Sequence, residues 1–255
     1  MCYNTSIQPN KPEVTHMTAK TFCAHRGLSA LMPENTLPAF GAALAFGCDE
    51  IEFDVRLTRD GGLIVSHDGT LERISDGRGN LSDFTMAELR ELNIGVKHGW
   101  QVPFCTVEEV FAQFAGRMLF NIHLKEHGED GYLITELTKI VKKYDAADSV
   151  YYAASPAELE WMQKKAPEIR RCAIQLPGDT MPICDMAKTY GCCRVQFWLG
   201  MFDEPLVEKL HGDGIRCNLF YADDFENYRQ YFGMGVDTLL TNRMDLAADY
   251  RKKYM

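Results

Sequence analysis

Positive charge is scarce in this chain: 27 Lys and Arg face 36 Asp and Glu, a formal charge of −9. With a pI near 5.3, such a surface repels a phosphate backbone, so nucleic acid is excluded as the main partner. Any phosphate must be bound locally. Long apolar runs are missing too: no window approaches the length of a membrane span. No basic amphipathic helix presents itself to a bilayer, so stable membrane insertion is not expected. Residues 1–20, MCYNTSIQPNKPEVTHMTAK, contain no apolar stretch of the kind a secretory signal needs and read as a polar extension. Cys-x-x-Cys spacing is absent although there are nine cysteines. Their odd number, with Cys192 beside Cys193, fits neither a zinc knuckle nor a disulfide framework. Most lie in apolar runs, where free cysteine behaves as a small hydrophobe, which suits a reducing compartment and a cytoplasmic protein. Internal repeats and low-complexity tracts are also absent.

The 255 residues accommodate one large domain or two small ones, and single α/β barrels commonly have this length. From residue 21 onward, short apolar runs alternate with helical patterns. Candidate strands are TFCAH (21–25), DEIEFDV (49–55), RMLFNIHLK (117–125), SVYYAA (149–154), RRCAIQL (170–176), RVQFWL (194–199), IRCNLFY (215–221) and VDTLLT (236–241). Helix-like stretches between them often stop at glycine. Thr36, after Asn35, is a candidate N-cap for the first of these, with Pro38 in its opening turn. Eight strands with helical crossovers predict a TIM (β/α)8 barrel over 21–255. A doubly wound open sheet is the alternative, but no glycine-rich dinucleotide loop follows the first strand. GLIVSH follows DEIEFDV through a link too short for a parallel crossover, so it reads as a hairpin arm. Residues 68–106, with polar turns and one short helix pattern (TMAELREL), read as an insertion after that arm.

Within EIEFDV, Glu52 and Asp54 share one face of a strand while Ile51, Phe53 and Val55 take the other. Two carboxylates that close repel unless something positive lies between them. Active sites on this barrel occupy the carboxyl ends of the strands, where further polar residues fall. His25 and Arg26 end the first strand, His123 and Lys125 share a face of RMLFNIHLK, and His67 closes the hairpin arm. A divalent metal ion is the expected answer to the carboxylate pair.

These residues carry a resemblance. AHRGLSALMPENTLPAF resembles the opening signature of glycerophosphodiester phosphodiesterases, and EIEFDVRLTRDGGLIVSHDG continues it with the Glu-x-Asp and His-Asp pairs. QVPFCTVEEVF and GMGVDTLLTN are similar to later segments of that family. The resemblance implies a TIM barrel that hydrolyses a small glycerophosphodiester to glycerol 3-phosphate and an alcohol with a divalent cation. It implies His25 and His67 as the acid–base pair, Arg26 and Lys125 as phosphate-binding residues, and Glu52 and Asp54 as metal ligands. The attacker it implies is the substrate's own glycerol 2-hydroxyl, an intramolecular attack that gains from high effective concentration.

Three departures stand out. Where the family pattern has Glu-x-Lys, this chain reads His123-Leu124-Lys125. Asn218 falls near the place of a family tryptophan, which suggests a different pocket wall. The usual Thr-Asp near the end is Thr241-Asn242. Imidazole in place of carboxylate leaves several outcomes open. Instead of the magnesium or calcium that the family implies, manganese, zinc or cobalt could bind through Glu52, Asp54 and His123. Glu126 or Glu129 could supply the missing carboxylate. The alternative is a non-catalytic or altered-specificity barrel binding a phosphate-bearing metabolite.

Overall fold

The computed structural model describes residues 19–176 and 178–255; most of the expected polar extension, residues 1–18, lies outside these. Eight parallel strands close into a barrel: β1 Thr21–His25, β2 Glu50–Leu57, β4 Leu119–Leu124, β5 Val150–Ala154, β6 Arg170–Ile174, β7 Arg194–Trp198, β8 Arg216–Phe220 and β9 Thr238–Thr241. The pairing order β1-β9-β8-β7-β6-β5-β4-β2 is completed by β1 against β2. This is the expected TIM barrel. The hairpin arm is β3, Leu63–Val65, antiparallel to β2 with Val55 opposite Val65.

Among the described residues, eight helices follow the barrel strands: α1 Leu37–Ala45, α3 Val107–Phe114, α4 Tyr132–Lys143, α5 Pro156–Lys165, α6 Ile183–Tyr190, α7 Glu204–Gly212, α8 Phe225–Gly233 and α9 Met244–Tyr254. A ninth, α2 Met86–Arg90, lies in the segment after the hairpin. Local chemistry explains their starts. Thr36 caps α1 by accepting from Ala39 N at 3.2 Å, with Pro38 in the first turn. Thr106 and Glu109 form a reciprocal capping box at α3, as Thr85 and Glu88 do at α2.

The main core lies between strands and helices, where Phe22, Ile51, Phe53, Phe120 and Ile122 turn outward and are fully buried. Strand alternation therefore turns Glu50, Glu52, Asp54, Asn121 and His123 into the lumen. Strand register sets His25 beside Glu52 and Asp54 beside His123. The segment after the hairpin has its own small core of Leu71, Leu81, Leu89, Ile94, Val102 and Phe104, packed on Ile64 of β3. No helix among the described residues is long and apolar enough to cross a membrane.

Candidate active site

The carboxyl ends of β1, β2 and β4 bring six of the seven expected residues into direct contact. Glu52 and Asp54 are wholly buried, side by side on the inner face of β2. His123 Nδ1 stands 2.9 Å from Glu52 Oε1 and 3.7 Å from Asp54 Oδ1. Lys125 Nζ reaches Asp54 Oδ1 at 2.8 Å, and Arg26 Nε lies 3.5 Å from Asp54 Oδ2. His25 Nε2 is 4.0 Å from Glu52 Oε2.

Backbone strain helps to assemble this cluster. Arg26 and Asn35 both have positive φ, 56° and 58°, a conformation that costs about 1–3 kcal/mol per non-glycine residue. The strained Arg26 aims its N–H at Glu52, 3.0 Å from the carbonyl and 2.9 Å from Oε2. Asn35 Nδ2 donates to Asp54 Oδ2 at 2.9 Å. Gly27 follows at φ 85°, and a Cβ there would sit 2.7 Å from the Ala39 backbone, so only glycine lets α1 approach β1 this closely.

His67 sits above the same rim. Ser66 N donates to Asp54 O at 3.0 Å, so the hairpin arm ends directly over β2. The His67 side-chain partner is Asp68, Nδ1 to Oδ1 at 2.7 Å. Asp68 is also paired with Arg73, and Arg73 grips Glu34 through two bonds of 2.8 Å. Glu34 in turn accepts from Arg26 Nη1 at 2.9 Å. A continuous charged chain thus ties the rim histidine to the β1 end.

Electrostatics follow from burial and these partners. Burial alone would raise the Asp54 carboxyl, but Lys125, His123 and Arg26 reverse that and hold it well below the usual range. Glu52 is also held low: burial and Asp54 oppose ionisation, and His123 and His25 outweigh them. Burial lowers His25, with Arg26 reinforcing it against Glu52 and Asn242. Burial likewise opposes charging of His123, yet Glu52 and Asp54 carry it upward in the ion-free protein. Asp68 is held at about 2; burial opposes this, but the hydrogen bonds from Arg73 and His67 prevail.

One proton can be placed by elimination. Asn242 Nδ2 donates to Asp223 Oδ2 at 2.7 Å, which turns Oδ1 toward His25 Nδ1 at 2.8 Å. The carbonyl oxygen only accepts, so Nδ1 carries the proton and Nε2 keeps its lone pair. Asn242 thus orients the first histidine, a role its sequence position at a departure from the family pattern did not disclose.

The residues fit a cation. Glu52, Asp54 and His123 each offer a ligand atom within 4.8 Å of the others, and Glu52 Oε1 and Asp54 Oδ1 are buried without a well-aligned hydrogen bond. Glu126 and Glu129 are not in this group; Glu126 Oε1 accepts instead from Leu57 N at 3.1 Å. A second group, His211, Cys217 and Asp237, is at the opposite end of the barrel. There Asp237 Oδ2 is already taken by His211 at 2.8 Å and by Cys217 N at 2.8 Å.

The pocket wall corrects one expectation. Asn218 is fully buried in the lumen, midway along β8, and does not line the mouth. The aromatic of that strand is Phe220, whose ring lies 5.3 Å from His123 and 5.9 Å from His25. Trp198 stacks on Phe220 at 4.8 Å, and Tyr221 stacks on His25 at 5.4 Å. These side chains were hidden in sequence because any apolar strand end looks alike.

Comparison with known proteins gives the family and the fold. A sequence model of the Glycerophosphoryl diester phosphodiesterase family matches residues 25–246. The glycerophosphodiester phosphodiesterase of Caldanaerobacter subterraneus subsp. tengcongensis is 31% identical over 231 residues, covering 86% of this chain and 92% of that protein. One from Bacillus altitudinis is 49% identical over 243 residues, covering 90% and 97%. The crystal structure of the Agrobacterium tumefaciens enzyme superimposes with a TM-score of 0.80 at 25% identity, over 91% of this chain and all of that one. A phosphodiesterase from Oleispira antarctica, solved with its product sn-glycerol 3-phosphate, gives 0.80 at 24% identity, covering 91% and 97%. The chain belongs to the glycerophosphodiester phosphodiesterase family, whose members are phosphoric diester hydrolases.

Proposed function

We propose that the chain hydrolyses a small glycerophosphodiester to glycerol 3-phosphate and an alcohol, in a reaction that depends on a divalent cation and on His25 and His67. The observation that carries this reading is the wholly buried Glu52–Asp54 pair, whose Oε1 and Oδ1 face His123 and Lys125 without a well-aligned hydrogen bond, on the same rim as His25 and Arg26. Glu52 and Asp54 would hold the ion, with His123 as the third side chain of the cluster. When bound, such an ion offsets phosphate charge that otherwise repels a nucleophile.

In this reading Arg26 and Lys125 receive the phosphate and exchange part of their pairing with Asp54 and Glu34 for it. His25 is neutral, oriented by Asn242, and presents a bare Nε2; it takes the proton of the attacking glycerol hydroxyl. His67, braced through Nδ1 by the ionised Asp68, delivers a proton to the departing alkoxide, leaving a cyclic glycerol phosphate. Water then opens the ring with the two roles reversed: His67 takes the proton of the water and His25 returns its proton to the 2-oxygen, which gives glycerol 3-phosphate. Tyr221 and Phe220 fix the plane of the His25 ring and keep that side of the site apolar. The reducing cytoplasm is the setting we propose, in keeping with eight free cysteines among the described residues.

The test is a matrix of glycerophosphocholine, -ethanolamine, -glycerol and -inositol against magnesium, calcium, manganese, zinc and cobalt, reading release of glycerol 3-phosphate. Ion-dependent turnover that is lost in His25→Ala and Glu52→Ala supports the reading. Normal turnover in both variants ends it. Ligand affinity without turnover under every ion favours the non-catalytic barrel instead.

A further inference from the structure

Below the cation cluster the barrel lumen is crossed by polar side chains where packed apolar layers are usual. Arg194 of β7 anchors them. A guanidinium can only donate, and Arg194 Nη1 lies 3.2 Å from Asn218 Oδ1. The Asn218 amide nitrogen therefore faces the other way, toward Tyr151 Oη at 3.0 Å and Gln196 Oε1 at 3.4 Å. Asn121 Nδ2 adds a second donor to Gln196 Oε1 at 3.0 Å. With its oxygen so occupied, Gln196 turns Nε2 to His123 Nε2, 2.9 Å away.

That contact has one consistent reading. An amide NH₂ has no lone pair to offer, so His123 Nε2 must accept and the ring proton sits on Nδ1. Nδ1 faces the gap between Glu52 Oε1 and Asp54 Oδ1, aligned on neither. Reversing the Gln196 amide would set its nitrogen against the Asn218 nitrogen, and reversing Asn218 would set that nitrogen against Arg194. The polarity of the whole relay is thus fixed by a group that cannot accept.

We propose that Gln196 holds His123 as an N–H donor to the carboxylate pair, so that His123 is a positioning residue for Glu52 and Asp54 and not a ligand of the ion. This rests on the reading that a cation binds at Glu52 and Asp54. The ion then meets only oxygen donors from this cluster, which favours magnesium, calcium or manganese over zinc.

The primary test is histidine ¹⁵N NMR of the ion-free full chain, titrated to a pH at which the His123 ring is neutral, with His123 assigned by its loss in His123→Gln. A protonated Nδ1 and a bare Nε2 are expected; a protonated Nε2 overturns the relay. Gln196→Glu puts an acceptor against Nε2 and should move the proton there, freeing the Nδ1 lone pair. Zinc affinity should then rise by about 10- to 100-fold relative to manganese; an unmoved proton in that variant also overturns the proposal. Pulsed electron paramagnetic resonance of the manganese-loaded protein adds a direct readout. ¹⁴N coupling should be the same in wild type and His123→Gln, whereas a coupling present only in wild type makes His123 a ligand and overturns its assignment. Failure of wild type to retain any of these ions instead overturns the cation reading, and the NMR result still decides the relay.

Discussion

Replacing Lys125 by methionine isolates the charge that sustains Asp54. Lys125 Nζ stands 2.8 Å from Asp54 Oδ1, a pair worth about 6 kcal/mol by Coulomb's law at an effective dielectric near 20. Desolvation of both groups offsets part of this, and removing one partner of a buried pair costs about 3–5 kcal/mol. Lys125 retains 22% side-chain exposure and Arg26 stays 3.5 Å from the other oxygen, so the loss should be about 2–4 kcal/mol. For a chain of this size that lowers Tm by about 5–15 °C. Unfolding in urea with chelator, at neutral pH, measures it. The sign of the pH dependence follows from the Asp54 carboxyl, which is held well below its ordinary value, against burial, chiefly by Lys125. In wild type the pair's contribution is present above the unfolded carboxyl value and is lost as pH falls through the depressed one. In Lys125→Met burial is opposed more weakly and the carboxyl rises, so mild acid protonates it and the gap between the two proteins narrows. Adding Asp54→Asn to Lys125→Met should recover most of the loss. A deficit under about 1 kcal/mol, or no recovery in the double variant, refutes the reasoning.

Three further outcomes are expected. Asn242→Leu removes the acceptor that orients His25 and should lower kcat by about 100-fold or more with little change in KM, read from steady-state kinetics. Gly27→Ala meets both a φ of 85° and the Ala39 backbone at 2.7 Å; a destabilisation of roughly 3 kcal/mol is expected in thermal unfolding. Asp68 is held at about 2 by Arg73 and His67 against burial, so its contribution is full above the unfolded value and fades as pH drops toward 2; Arg73→Met should flatten that part of the acid-unfolding curve.

Much of the barrel was legible because strand alternation is a strong signal when one face packs on helices and the other fills a lumen. Glu52 and Asp54 could be placed on one face from Ile51, Phe53 and Val55 alone, and His123 with Lys125 from Ile122 and Leu124. The brevity of the TRDGG link was enough to make GLIVSH an antiparallel arm. Side-chain partners set by loops were not legible. The ties of Asn35 to Asp54 and of Arg73 to Glu34 depend on how the loop after β1 folds against the segment after the hairpin, and no periodicity reports that. Asn218 was placed one inward position too far along its strand: β8 reaches the mouth with Phe220, and Asn218 lies a layer below. Gln196 did leave a trace, as the one uncharged polar residue inside RVQFWL, but a single polar residue in an apolar strand does not say which partner it serves.

The charges at the site explain why a cation and a phosphodiester should depend on each other. Glu34, Glu52 and Asp54 contribute three negative charges, against Arg26, Lys125 and a His123 ring that the carboxylates carry toward its charged form, with His25 lowered by burial. The inner cluster is then close to balanced, and an anionic substrate gains little by entering it, since each cation must first loosen its grip on Asp54 or Glu34. A divalent ion on Glu52 and Asp54 would take over the carboxylates, release Arg26 and Lys125 for the phosphate, and leave a net positive pocket beneath a substrate of single negative charge. It would also remove the attraction that carries His123 upward, leaving the neutral ring that the Gln196 contact requires. Substrate affinity should therefore rise steeply with ion concentration even in a variant that cannot turn over, such as His25→Ala, and equal affinity with and without the ion would break that link.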